Sequence, residues 1–247
     1  MKDRRKAVLQ ELGLIPVWRH KKEATLTKCE SDVNQAVETT QMTEPDEKRS
    51  DDRSARIARM DWAALKASVA SCTACPLSQS RTQTVFGVGD EQADWLFIGE
   101  GPGAKEDELG EPFVGQAGKL LDNMLMSIQL RRGERVYITN IVKCRPPNNR
   151  NPESFEAEQC HPYLARQIVL IKPKLIVALG KVAAQNLLHS SESIASLRGK
   201  LHYYETIPVI VTYHPAYLLR SLADKAKAWE DLCFARETMQ SLSAHSA

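Results

Sequence analysis

Apolar residues gather into runs of strand length at Trp95–Ile98, Val136–Ile138, Leu175–Leu179 and Val209–Val211. Each run is continuous rather than alternating, the pattern of a strand covered on both faces. Between and after them the spacing predicts helices over Gly118–Ile128, Glu153–Ile171 (interrupted by Pro162), Lys181–Leu188 and Lys225–Leu242. Alternation of this kind predicts an α/β fold with a central four-stranded parallel sheet flanked by helices. Such sheets bind ligands beyond the carboxyl ends of their strands. Three polar motifs fall there: Gly99-Glu100-Gly101-Pro102-Gly103 after the first run, Thr139-Asn140 after the second, and His214-Pro215-Ala216 after the last.

Upstream the pattern fades. Residues 21–60 are rich in Glu, Asp, Lys, Thr, Ser and Gln, and bury too little to offset the entropy of ordering, so they read as a disordered charged linker. Before it, Val8, Leu9 and Leu12 share a helical face that stops at Gly13, followed by Ile15-Pro16-Val17-Trp18. Residues 1–20 are therefore expected to be a short amphipathic docking peptide, and residues 61–247 the folded domain.

Composition changes the picture in two ways. No apolar run approaches the ~18 residues of a membrane span, and the basic start lacks a signal-peptide core, so a cytoplasmic location without membrane contact is expected. There thiols stay reduced, and clustered cysteines read as metal ligands. Net charge is +2, and residues 61–247 hold 20 basic and 20 acidic side chains, so bulk charge cannot drive nucleic-acid binding; any such role needs a local patch.

The cysteines supply candidate chemistry. Cys72 and Cys75 form a C-x-x-C followed by Pro76, with Cys144 after the second strand and Cys160 inside the long helical segment. Zinc and a [4Fe–4S] cluster are both compatible with this spacing, although a zinc ribbon would ordinarily supply two tight pairs. His161 is a conceivable substitute ligand or a solvated neighbour. The glycine motif is not a dinucleotide fingerprint, since its third Gly comes one residue early and Pro102 sits in the turn. Gly115-Gln-Ala-Gly118-Lys119 is too short for a phosphate-binding loop.

From about Cys72 to Phe234 the chain resembles the family 4, iron–sulfur uracil-DNA glycosylases. The resemblance is carried by Cys72-x-x-Cys75-Pro76, Gly99–Gly103 with Glu106-Asp107, Gly110-x-Pro112-Phe113-Val114-Gly115, Thr139–Pro147 and His214–Arg220. It implies a three-layer glycosylase fold, a [4Fe–4S] cluster on Cys72, Cys75, Cys144 and Cys160, and excision of uracil from DNA, leaving an abasic site. A buried base must be flipped into a pocket and read on its Watson–Crick edge. The Asn140 side chain can accept from uracil N3–H and donate to O4, whereas cytosine reverses that pattern. Phe113 is the expected stacking face, and Glu106 is similar to the family residue filling the space of a thymine methyl. Glu100, Gly101 and Pro102 are expected to approach the base through their backbone. His214 is the candidate donor to O2 as negative charge develops on the leaving uracil. Lys143, Arg145 and Arg220 are placed to meet phosphates, with Tyr217, Leu218 and Leu219 as a wedge. The attacking water is expected to be held by backbone groups, with Glu100 or Asp107 nearby, which leaves the general base open.

Two other functions fit parts of this pattern: a catalytically weak or inactive DNA-binding module that keeps the fold and cluster, and an electron-transfer protein. Neither accounts for Phe113, Asn140 and His214 together. The N-terminal peptide, through Arg4-Arg5, Leu9, Leu12-Gly13 and Trp18, is similar to that of the psi subunit of the bacterial clamp loader, which implies a replication protein as a possible partner. A monomer is expected.

Overall fold

The computed structural model describes residues 47–244, without the side chains of residues 47–51. The expected docking peptide and residues 21–46 of the expected linker lie outside the described residues. The end of that linker departs from expectation. Helix α1 (Glu47–Ile57) occupies it, and Ile57 is buried against Leu65, Val69, Phe86 and Tyr163. Arg53 also donates to the Gln159 carbonyl at 3.0 Å. A polar composition hid a helix that needs only one buried side chain and one anchored cation to dock.

Helix α2 (Trp62–Ala70) begins at Asp61, whose carboxylate accepts from the Ala64 amide, and the one-turn α3 (Leu77–Ser80) follows the C-x-x-C. Six strands then form one mixed sheet: β1 (Val88–Gly89), β2 (Trp95–Gly99), β3 (Val136–Asn140), β4 (Leu175–Leu179), β5 (Leu201–Tyr204) and β6 (Ile207–Thr212). Their spatial order is β1-β3-β2-β4-β6-β5. The four expected strands are its parallel centre, each pair confirmed by its register. The expectation of a purely parallel four-stranded sheet is thus corrected by two antiparallel edges, β1 on β3 and β5 on β6. A search for apolar runs passes over both. Strand β1 is two residues long, and β5 buries only Tyr204, turning into β6 through Glu205 at φ +53°.

Alternate residues of the central strands feed two cores. Leu96, Ile98, Ile176, Ala178, Val209 and Val211 face α6 (Ser154–Ile171) and α7 (Lys181–Leu188). Trp95, Phe97, Ile138, Val177 and Ile210 face α5 (Gln116–Ser127) and α10 (Asp224–Ala244). Helix on both faces is why these strands read as unbroken apolar runs. Helix α6 runs through Pro162 without ending. Burial of Ala157, Leu164, Ile168 and Ile171, with a capping box between Glu153 and Glu156, offsets the amide bond that proline cannot make. Short helices α4 (Ala104–Leu109), α8 (Ile194–Leu197) and α9 (Pro215–Leu218), with a 3-10 turn at Pro147–Asn149, lie between them among the described residues. Because β3 and β4 lie on opposite sides of β2, the strand order reverses there, and the crevice beyond its carboxyl end is the place a ligand is expected.

Candidate active site

That crevice is a cleft of ≈ 490 Å³. Its walls include Glu100, Gly101, Pro102, Glu106, Phe113, Asn140, His214, Tyr217 and Arg220 from the sequence expectation. Asn140 is the last residue of β3, directly across from Gly99 of β2. A Cβ on Gly99 would lie 2.4 Å from Asn140 Oδ1 and 2.5 Å from Phe113 Cζ, so this glycine is what lets the two side chains converge. Likewise Gly180 (φ +92°), at the end of β4, has room for no Cβ because His214 Cβ would stand 2.8 Å away. The Phe113 and His214 rings are 5.5 Å apart between centroids, tilted by 30°.

Asn140 is 1 % exposed, and its Oδ1 has no hydrogen-bond partner among the described residues. An unsatisfied buried acceptor is costly, and at the floor of a cleft it is a socket for a ligand N–H. His214 caps α9, its Nδ1 accepting from the Ala216 amide at 3.1 Å. Burial pushes the imidazole down to about 4, opposed by nearby Glu106 and assisted by Arg220. The ring is therefore neutral at neutral pH, and with Nδ1 used as an acceptor its proton sits on Nε2. Burial raises the Glu100 carboxyl above its ordinary range. Glu106 Oε1 accepts from the Val114 and Gly115 amides, both at 3.0 Å, so its carboxylate also holds the turn that carries Phe113.

Some expected residues are elsewhere. Lys143, expected at a phosphate, is 1 % exposed; its Nζ donates to Thr139 Oγ1 at 2.5 Å and to the Asn140 carbonyl at 2.9 Å. The chain curls back after β3 and offers these acceptors inside, so a lysine that sequence places on the surface is internal. Leu218, expected in the wedge, is 1 % exposed and packed in the core beneath α10 and α5. Tyr217 and Leu219 beside it remain exposed. Arg145 does not line the cleft; its Nε donates to Asn149 Oδ1 at 2.8 Å. Asp107 is buried with its carboxylate accepting from the Thr82 and Gln83 amides, away from the cleft. Sequence reasoning missed Pro146, Asn149, Arg150 and Asn151, which form a further wall. Their signal was present in Pro146-Pro147-Asn148-Asn149-Arg150-Asn151-Pro152, a turn-forming cluster just past a strand end. Asn148 and Asn149 take the left-handed conformation there, at φ +55° and +54°.

Cys72, Cys75, Cys144 and Cys160 line one small void of ≈ 20 Å³, together with Arg81, Lys143 and Tyr163. They surround this space rather than a point: among the described residues no three His, Cys, Asp or Glu side chains are grouped to hold a single metal ion. Three sulfurs accept hydrogen bonds, Cys144 from Arg81 Nη1 at 3.0 Å, Cys160 from the Lys143 amide at 3.3 Å and Cys72 from Arg53 Nη2 at 3.7 Å. Burial pushes Cys160 up to about 12 and raises Cys75 and Cys144, so these three bare thiols are protonated, and a bound metal would displace those protons. An all-thiol donor set with cationic and amide donors on the sulfurs fits an iron–sulfur group. His161 is turned instead toward Tyr204 Oη and the His189 ring.

A family model described as the uracil DNA glycosylase superfamily matches residues 86–233. The chain belongs to that superfamily. Among its superfamily relatives, a type-4 uracil-DNA glycosylase of Archaeoglobus fulgidus is 49 % identical over 159 residues, covering 61 % of this chain and 79 % of the relative. A type-4 uracil-DNA glycosylase of Pyrobaculum aerophilum is 41 % identical over 181 residues, covering 70 % of this chain and 92 % of the relative. One from Thermotoga maritima is 45 % identical over 161 residues, covering 64 % and 83 %. In this superfamily member, then, the matched region contains both the cleft and the core strands that shape it.

Proposed function

We propose that this protein is a DNA-repair glycosylase that flips uracil out of DNA and hydrolyses its N-glycosidic bond, releasing uracil and leaving an abasic site. One observation carries the reading: a buried Asn140 amide with an unpartnered oxygen shares a cleft with the Phe113 ring and a neutral His214. The type-4 uracil-DNA glycosylase relatives support it independently.

In this mechanism Asn140 Oδ1 accepts from uracil N3–H and Nδ2 donates to O4, while Phe113 stacks on the ring. Cytosine would set acceptor against acceptor at N3, at a cost of about 1–3 kcal/mol for each buried group left unpaired. Glu106, fixed by two backbone amides, occupies the room a thymine methyl would need. As the C1′–N1 bond breaks, its electron pair passes to the uracil, and the negative charge at O2 receives the Nε2–H of His214. Water adds to C1′, and Glu100 takes its proton; the raised carboxyl of Glu100 suits a base, and Asp107 is committed elsewhere. Arg220 flanks the cleft for phosphate contact, with Tyr217 and Leu219 exposed beside it to fill the gap in the stack. Cys72, Cys75, Cys144 and Cys160 would hold a [4Fe–4S] cluster, which when bound cross-links α2, α3, the loop after β3 and α6 without taking part in bond cleavage. The N-terminal resemblance would tether the enzyme to a replication protein.

The test uses purified, iron-loaded protein on oligonucleotides carrying one uracil, thymine or cytosine, single- and double-stranded. Alkali-labile sites should arise at uracil only, and His214→Ala should slow the reaction by about 10²–10³. Binding of DNA with no base release would instead establish the inactive-module reading.

A further inference from the structure

The turn Pro112–Gly115 carries the proposed stacking ring in a conformation it would not adopt alone. Phe113 has φ +56°, a left-handed backbone that is strained for a non-glycine residue and persists only when its surroundings hold it. Four consecutive residues are each gripped by one backbone group. On one side Glu106 accepts from the Val114 and Gly115 amides. On the other, Arg132 Nη1 donates to the Pro112 carbonyl and Nη2 to the Phe113 carbonyl, both at 2.8 Å. The carbonyl of Phe113 also lies where a Cβ on Gly118 would come within 1.7 Å, so the turn sits directly on α5.

Arg132 is not part of the cleft wall. It projects from the tight turn between α5 and β3, where Arg131 bridges Glu134 and Gly133 takes φ +83°. Asp122 of α5 aims the guanidinium, accepting from Nε at 3.1 Å and Nη2 at 3.0 Å. That ion pair is partly exposed, 24 % and 45 %, and by itself stabilises little. Its geometric effect is larger, because a planar fork offering two parallel N–H groups to successive carbonyls is something only arginine supplies.

We infer that Arg132 is a positioning residue that sets the uracil-stacking ring of Phe113 through the carbonyls of Pro112 and Phe113. The inference rests on the proposed uracil chemistry and adds a residue outside the cleft to it. The Asn140 socket and the Phe113 ring meet at Gly99, so a turn that relaxes would move the stacking face off the base while leaving Asn140 and His214 in place.

The experiment is a double-mutant cycle on full-length, iron-loaded protein, reading kcat/KM on a single-stranded uracil oligonucleotide and inhibition by added uracil. Arg132→Gln should lower kcat/KM about tenfold in the wild-type background and less than about twofold in Phe113→Ala, since coupled residues do not add. Uracil should inhibit Arg132→Gln about tenfold more weakly, with affinity for abasic DNA unchanged, and Arg132→Lys should not restore either value. If Arg132→Gln fails to fold, Asp122→Asn, which only unaims the fork, must show the same coupling to Phe113. Equal losses in both backgrounds, or full activity of Arg132→Lys, would overturn the inference. A wild type that neither releases nor binds uracil would overturn the functional reading beneath it.

Discussion

The protonation state of His214 can be weighed directly. Burial lowers its imidazole from 6.5 to about 4. The folded protein therefore binds fewer protons than the unfolded chain between these values, and stability falls as pH drops through 6.5, the loss levelling off below about 4. At pH 5 the unfolded imidazole is almost fully protonated and the native one almost fully neutral. The linkage relation then gives His214 a penalty of about 2 kcal/mol relative to pH 7. His214→Gln puts a neutral amide in place of the imidazole and removes the titration. Denaturant unfolding of both proteins at pH 7 and pH 5 isolates the imidazole's contribution, because every other titrating group is common to the pair. The wild type should lose about 2 kcal/mol more than the variant on acidification. Over the same range its single-turnover rate should show no protonation step near 6.5, since the neutral ring already carries Nε2–H and protonating Nδ1 would set it against the Ala216 amide. An identical acid loss in His214→Gln, or a rate step near 6.5 that disappears in His214→Gln, would refute the assignment of a neutral donor.

Four further expectations follow from the packing. Gly99→Ala places a methyl 2.4 Å from Asn140 Oδ1 and should cost at least about 10² in kcat/KM, measured on uracil oligonucleotides, because small displacements of a reacting constellation are that expensive. Lys143→Met strips a donor from the buried Asn140 carbonyl and should lower unfolding free energy by about 1–3 kcal/mol while leaving the salt dependence of DNA binding unchanged; a shallower salt slope would return Lys143 to a phosphate. Leu218→Ala should destabilise by about 2–5 kcal/mol. Leu219→Ala should stay within about 0.5 kcal/mol of wild type yet slow excision from duplex DNA, both read by denaturation and duplex kinetics.

The central strands were legible because each is sandwiched between helices, so both of its faces must be apolar and the run is unbroken. The site followed from them, since Glu100, Asn140 and His214 stand just past the ends of such runs and the sheet brings those ends together. What stayed hidden depends on which way a chain turns after leaving an element. Leu218 and Leu219 are chemically identical neighbours at the end of a one-turn helix, and only packing against α10 and α5 decides that the first enters the core. Lys143 looks like a surface cation until the acceptors of Thr139 and the Asn140 carbonyl fold over it. Helix α1 and strand β5 each bury one described side chain, Ile57 and Tyr204, too weak a pattern against a polar background. The fork of Arg132 lies about twenty residues along the chain from the carbonyls it grips, a relation that no local motif encodes.

Uracil selection depends on Asn140 reading the extruded base. Its most direct measurement is the time course of uracil liberated from a single-stranded, uracil-containing oligonucleotide by the wild type and by Asn140→Ala. The wild type should liberate one uracil per lesion, and the variant should be slowed by at least about tenfold, the loss expected when a buried hydrogen-bonding partner of the substrate disappears. Equal rates for the two proteins would contradict it.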